Sequence, residues 1–342
     1  MRMTPLGDPL DPFDEQQAPT ARRHAHLLGA AFEFLADDEA LLEPVDAAYA
    51  DLPPQRLPAG PLPDAPLQVR LRRGDAAGWP PALERLPAAR HLSGSGVFGV
   101  ALDAVNMTLV MPELGRALVT MSPELLARPR DARAELVECA VYQLAARAQG
   151  LHALHAGAVA LDDRAALLIG HSGAGKSTLT LHAMQQGLAG VTEDGAFLDP
   201  VSWRVTGVPN FLHVRTDSLD RLGDPGLRDR VAASPVIRRR SGAEKFVLDL
   251  RRSGLPLSST APALALLVFL SPESAAGGAP WRALTADEVA ARLAATQPYA
   301  AWRPGWPATV ERSAHLPAFE LRRGRHPRDT AADLRRLLRD LG

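Results

Sequence analysis

Between Ala25 and Leu52 the apolar positions recur at helical spacing, most clearly in FEFLADDEALLEPVDAAYADL, whose Ala and Leu content also favours a helix. Five prolines between 53 and 65 predict an extended connector. From Leu67 the period falls to two: Leu67, Val69 and Leu71 alternate with Gln68, Arg70 and Arg72, as in a half-buried strand. Short apolar runs separated by turn-prone residues continue from Gly96 to Ser122 and read as antiparallel strands. Pro123 opens a helical region, and the amphipathic DARAELVECAVYQLAARAQG ends it at Gly150. These elements predict an N-terminal α+β domain over residues 21–150. Residues 1–20, rich in Pro, Asp and Gln without an apolar period, are expected to form a flexible leader.

After Gly150 the pattern predicts a strand pair, a glycine-rich loop with a following helix, and then short strands at GAFLDP, WRVTGVP and FLHVR. Residues 216–242 are polar and read as loop with a short helix. Lys245–Leu250 and Ala263–Leu270 are further strands, and LALLVFL is apolar enough for a central position. A helix over Ala286–Thr296, a strand near Ala318–Arg322 and an amphipathic helix over Thr330–Leu341 close the chain. This predicts an α/β C-terminal domain over 151–342 with a mixed, strongly β central sheet.

The chemistry concentrates in GHSGAGKST, residues 170–178, which satisfies G-x-x-x-x-G-K-[ST] between the apolar strand AALLI and a helix beginning near Lys176. Gly170, Gly173 and Gly175 permit a loop whose backbone N–H groups turn inward on phosphate oxygens. Ser172 and Ala174 complete that loop, and the helix N-terminus adds its positive dipole. Lys176 is expected on the β and γ phosphates, the Ser177 hydroxyl on magnesium, and Thr178 on the α phosphate. The motif predicts binding of ATP and Mg2+, and by itself it leaves the phosphate acceptor open.

Seventeen and eighteen residues after Lys176 stand Glu193 and Asp194 in GLAGVTEDGAFLDP. Their position implies a strand beside the loop that ends in two carboxylates, one for the metal and one to take the proton of an attacking hydroxyl. Glu-Asp-Gly is also good turn chemistry.

The succession LHAGAVA, ALLIGHSGAGKSTLTLHAMQQG and VTEDGAFLDP resembles the catalytic core of HPr serine kinase and its relatives over roughly residues 151–270. The resemblance implies a P-loop kinase domain of the HPr kinase and PEP carboxykinase-like type. It matches His155 to the family's histidine, Ser172–Ser177 to its phosphate loop, and Glu193 with Asp194 to its acidic pair. By position Glu193 would be the base and Asp194 the metal-side carboxylate, with the division open to exchange because glutamate is longer. The family's downstream glycine-rich signature, with its Glu and Arg, is replaced here by WRVTGVPNFLHVR, which argues against phosphorylase activity and against HPr as substrate. Divergent relatives act beside peptide-modifying systems, so the implied acceptor is a Ser or Thr hydroxyl on a peptide or small protein.

Composition adds three constraints. The chain has two lysines, Lys176 and Lys245, among 38 basic residues, so a pervasive preference for arginine makes Lys245 a candidate for a site needing a compact ammonium. With Arg215 and the run Arg238–Arg240, notably Arg240, it is a candidate to stabilise charge on a transferring phosphoryl group. A formal charge of -1 points to neither nucleic acid nor membrane as a partner. The N-terminus lacks the basic start and apolar stretch of a signal peptide, which predicts a cytoplasmic protein. The single Cys139 excludes an intrachain disulfide. Trp281, Trp302 and Trp306 read as exposed aromatics that pack the C-terminal segments or line a peptide groove. His171 reads as incidental, and the oligomer state is left open. The competing functions are a peptide or protein kinase, a nucleotide-binding regulatory ATPase, and a small-molecule hydroxyl kinase.

Overall fold

The computed structural model describes residues 18–58, 65–80, 83, 85–238, 242–275, 279–323 and 326–341, with backbone alone at Asp217, Ser274 and Arg323. These fall into two compact units, one of residues 18–50 and 65–149, the other of 51–58 and 150–341. Residues 1–17 of the expected leader and 59–64 of the expected connector lie outside the described residues.

The first unit begins with a hairpin of β1 (Ala21–Leu27) and β2 (Ala30–Ala36), followed by the short helix α1 (Glu43–Tyr49). The helix expected from Ala25 therefore starts only near residue 39, where a 3-10 turn leads into α1. Two features override the helical propensity. Leu28 and Gly29 both take positive φ, 51° and 83°, the backbone of a two-residue hairpin turn. Phe32 and Phe34, two apart, are buried on one face with ring centroids 6.0 Å apart.

Five more strands complete a seven-stranded sheet: β3 (Leu67–Arg73), β4 (Arg90–Gly94), β5 (Val97–Ala101), β6 (Met107–Met111) and β7 (Arg116–Met121). Its order is β1-β2-β3-β7-β6-β5-β4, with β3 parallel to both neighbours and the other pairs antiparallel. The edge strand β4 is exposed along its length, which is why it carries no apolar period. The helical region runs through α2 (Pro123–Leu126), α3 (Pro129–Asp131), a π-turn segment (Ala132–Val137) and α4 (Glu138–Ala148). It stops at Gly150, φ 69°.

The second unit opens with β8 (His152–Leu161) and β9 (Arg164–Ile169), then α5 (Lys176–Gln185), β10 (Ala189–Thr192), β11 (Gly195–Leu198) and β12 (Val205–Thr206). Next come β13 (Phe211–Arg215), α6 (Pro225–Ala232), β14 (Val236–Arg238) and β15 (Glu244–Asp249). The chain ends through β16 (Ala263–Ser274), β17 (Trp281–Ala283), α7 (Ala286–Thr296), α8 (Trp306–Ala314), β18 (Ala318–Arg323) and α9 (Pro327–Asp340).

The main sheet has the order β12-β11-β8-β9-β16-β18-β17, with β10 added on β8. Strands β9, β16 and β18 are parallel, and LALLVFL in β16 lies centrally among them. Helices cover both faces: Val289, Leu293 and Trp306 from α7 and α8 on one, Leu179, Ala183, Leu334 and Leu338 from α5 and α9 on the other. A separate three-stranded sheet, β13-β15-β14, packs Leu212 and Leu248 against Leu181 and Met184 of α5. Helix α5 is thus wedged between two sheets.

Two of the three tryptophans read as exposed are not. Trp306 is buried with its ring 5.6 Å from that of His152, and Trp281 is half-buried, edge-on to Phe319, with Nε1 donating to Asp333. The helix α8 that carries Trp306 was not foreseen, because prolines and glycine crowd its start.

Candidate active site

Strand β8 organises the site. Its C-terminal half pairs with β10, Thr192 opposite Ala158, and its N-terminal half pairs with β11, Gly195 opposite His155. Glu193 and Asp194 fill the interval, facing β8 where it carries Ala156 and Gly157. A Cβ on Gly157 would lie 2.7 Å from the Glu193 carbonyl oxygen and 3.1 Å from Thr180 Oγ1, so only glycine lets the acidic turn approach this closely. On the other side of β8, Ala156 pairs with Ile169, which sets Gly170 beside His155.

The loop leaves β9 at Gly170 and reaches α5 at Lys176. Gly175 caps the helix with φ 109°, a conformation closed to other residues. Ser172 and Gly173 are exposed, Ala174 is half-buried with its N–H on the His171 carbonyl, and His171 itself is exposed. Ser177 and Thr178 stand in the first turn of α5, where backbone N–H groups lack helical acceptors and the dipole favours an anion.

Lys176 is 6 % exposed. Its Nζ donates to the Gly170 carbonyl at 2.7 Å, lies 2.9 Å from His155 Nε2, and forms an ion pair with Asp194 Oδ1 at 3.4 Å. His155 Nε2 is also 3.0 Å from Asp194 Oδ1. With its proton on Nδ1 the ring accepts from the ammonium; with its proton on Nε2 it donates to the carboxylate. Partial burial drives the Asp194 carboxyl upward, but the His155 hydrogen bond and the Lys176 charge outweigh it and hold the group at about 2. The Asp194 side chain is nevertheless 61 % exposed, so an ionised carboxylate stands open to solvent next to the buried ammonium.

Glu193 has the opposite surroundings. It is buried, its Oε1 accepts from Ser177 Oγ at 2.6 Å and from the His213 N–H at 3.1 Å, and its Oε2 lies 2.6 Å from His213 Nδ1. Burial opposes its ionisation, and the His213 hydrogen bond and charge with the Ser177 hydroxyl overcome that, leaving the carboxyl below its ordinary range.

His213 was not singled out in the sequence. Its one signal was its place in FLHVR, a polar side chain between the inward-facing Leu212 and Val214, which puts it on the opposite face of β13. Arg215 and Lys245 are register partners on that same face, one pair farther along, roughly 7 Å by strand rise. Lys176, His155 and Asp194 are held instead by one another and by the Gly170 carbonyl. Arg238 lies in β14 and is exposed, while Arg239 and Arg240 lie outside the described residues.

Among the described residues no group of three or more His, Cys, Asp or Glu side chains forms a protein-only metal cage. The donors present, the Ser177 hydroxyl and the Glu193 and Asp194 carboxylates, are hard oxygens and too few for a cage. That set fits magnesium, which keeps waters and shares phosphate oxygens. Among the described residues no helix is long and apolar enough to cross a membrane.

No protein-family model matches this chain, and no curated protein matches it. Among solved structures it is similar to the Hpr(Ser) kinase/phosphatase from Coxiella burnetii, at 14% identity and a TM-score of 0.30, over 56% of this chain and 99% of that one. A likeness of that size fixes neither activity nor substrate.

Proposed function

We propose that this protein is an ATP-dependent phosphotransferase that moves the γ-phosphoryl group to a Ser or Thr hydroxyl of a peptide or small protein. The observation that carries the reading is the unequal environment of the two acids: Glu193 is buried and saturated by Ser177 and His213, and Asp194 is ionised, exposed and 3.4 Å from the Lys176 ammonium.

That asymmetry favours dividing the roles opposite to the positional expectation. Asp194 is the base and Glu193 the metal-side carboxylate. Magnesium, held by Ser177, Glu193 and phosphate oxygens, would neutralise charge on the phosphates. The N–H groups at the start of α5, which lack helical acceptors, would bind the phosphate chain, and Lys176 would place its charge on the β and γ groups. Asp194 accepts the hydroxyl proton as the acceptor oxygen bonds to the γ-phosphorus; the bond from that phosphorus to the β,γ-bridging oxygen breaks and ADP leaves. His155, between the ammonium and the carboxylate, orients Asp194 and takes up its proton afterwards through Nε2.

The test is mass spectrometry of Ser- and Thr-containing peptides incubated with the protein, ATP and magnesium. Phosphopeptide that disappears in Asp194→Asn while ATP is still bound supports the reading. Tight ATP binding with no transfer to any peptide, or transfer only to small hydroxylated metabolites, rejects it.

A further inference from the structure

The residues that follow α7 form a loop fastened at both ends to β8, the strand that carries His155. At one end Gln297, itself buried, accepts from the His155 N–H through Oε1 at 2.7 Å, and its Nε2 donates to the His155 carbonyl at 3.4 Å. At the other end the Pro304 carbonyl lies 3.1 Å from His152 Nε2. A carbonyl can only accept, so Nε2 of His152 carries the proton and Nδ1 accepts from the Thr309 hydroxyl at 3.0 Å. Between these ties the backbone turns on itself, with the N–H groups of Ala300 and Ala301 on the Gln297 carbonyl and that of Arg303 on the Ala300 carbonyl. Ala300 is fully buried in the same core as Leu154 and Ala156 of β8.

On this fixed loop Tyr299 is 82 % exposed and Trp302 is 91 % exposed. Every other described Phe, Tyr and Trp side chain is buried or half-buried, so the exposed aromatics are confined to one stretch of four residues. Their exposure does not come from a loose chain, because Ala300 between them is packed. Aromatic side chains are the type that dominates peptide and protein recognition, since they offer large contact area at small entropic cost. Tyr299 lies two residues from Gln297, within about 7 Å along the chain, and Trp302 five residues away, within about 18 Å at full extension. Gln297 in turn holds the backbone of His155, whose ring is 3.0 Å from Asp194.

Resting on the kinase reading above, we propose that Tyr299 and Trp302 form the docking surface for the acceptor peptide and select one with an aromatic or large aliphatic residue within roughly five positions of the phosphorylated Ser or Thr. The occupant is the acceptor and not a second copy of the chain, because Gln297, two residues from Tyr299 and five from Trp302, is hydrogen-bonded to the backbone of His155, whose ring meets Asp194. No acidic residue lies between 297 and 306, so the surface offers apolar contact together with Arg303 and no attraction to a cationic segment.

The experiment is transfer from labelled ATP to a positional-scanning library of peptides with a central Ser or Thr and about five scanned positions on each side, for the wild type, Tyr299→Ser with Trp302→Ser, and Trp302→Phe. The wild type is expected to prefer Phe, Tyr, Trp or Leu at one or more flanking positions. The double variant should lose that preference and raise KM for the preferred peptides about 10-fold or more, with kcat less affected. Trp302→Phe should keep the preference. Transfer without any apolar preference, or a preference that survives the double substitution, overturns the docking surface alone. Absence of transfer to every library member with ATP bound overturns the kinase reading and this inference together. A change in mass by light scattering in the double variant assigns the aromatics to an interface between copies and overturns the proposal.

Discussion

Ser177 donates its hydroxyl to Oε1 of Glu193 over 2.6 Å, joining the first turn of the phosphate-loop helix to the acidic turn on the neighbouring strand. If the two oxygens face one magnesium ion, they act as a pair. Ser177→Ala should then lower ATP affinity about 10- to 100-fold in the presence of magnesium and much less in its absence, with Ser177→Thr recovering most of the loss. Titration of a fluorescent ATP analogue with and without the metal reads this directly. Equal losses in both conditions would remove the metal from the argument.

A second consequence concerns Gly157. The nearest atom to an added Cβ is a backbone oxygen of Glu193 at 2.7 Å, so nothing flexible can yield. Gly157→Ala should cost about 1–3 kcal/mol in stability and push the acidic turn from its place, reducing transfer. Gly190→Ala is the control: there the added atom meets the end of the Met184 side chain at 2.8 Å, which can turn aside. Urea denaturation and phosphopeptide yield should rank the two in that order.

The elements that position the site were readable in the sequence because each has a local cause. The loop needs its glycines, and β16 shows its central place by unbroken apolarity. What escaped depends on contacts distant in sequence. The hairpin at Ala21–Ala36 was misread as helix because Ala and Leu propensity is visible locally, whereas the packing that gives Phe32 and Phe34 a common face is not. His213 and Gln297 reach Glu193 and His155 across 20 and 142 residues, and neither neighbourhood carries a motif. Order in the chain points to Glu193 as base with the division open to exchange; the unequal burial on which the proposed choice of Asp194 rests is a property of the folded surface.

The proposed division of labour between the acids makes a prediction about pH. Asp194 is held at about 2, so as a base it is fully ionised at every pH above about 4 and contributes no acid limb to kcat/KM in the neutral range. Because its folded pKa lies below the ordinary 3.8, ionised Asp194 also stabilises the fold above that value, and the contribution is lost as pH falls toward 2. Asp194→Asn should reduce kcat about 10²- to 10⁴-fold with ATP affinity largely kept. Glu193→Gln should weaken magnesium-dependent ATP binding instead. An acid limb near neutrality that vanishes in Asp194→Asn would contradict the assignment.

The last prediction concerns His182 in the last turn of α5, beside a cavity of about 1040 Å³ lined in part by Arg221, Arg328 and His326. Burial, and after it the charges of His326, Arg221 and Arg328, together lower its pKa to about 4; the His182 and His326 rings meet edge-on at 5.7 Å. A histidine whose folded pKa lies below its unfolded 6.5 binds more protons unfolded. Stability therefore falls as pH drops from 6.5 to 4 and levels off below, by about 3 kcal/mol for this group. This window lies above that of Asp194, so the two are separable in one pH series. Denaturant unfolding of wild type and His182→Gln between pH 4 and 7.5 should show a shallower slope in the variant across that window. Curves displaced by a constant amount would mean that His182 contributes packing alone and does not titrate there, and an NMR titration of its ring protons would then place the midpoint elsewhere than near 4.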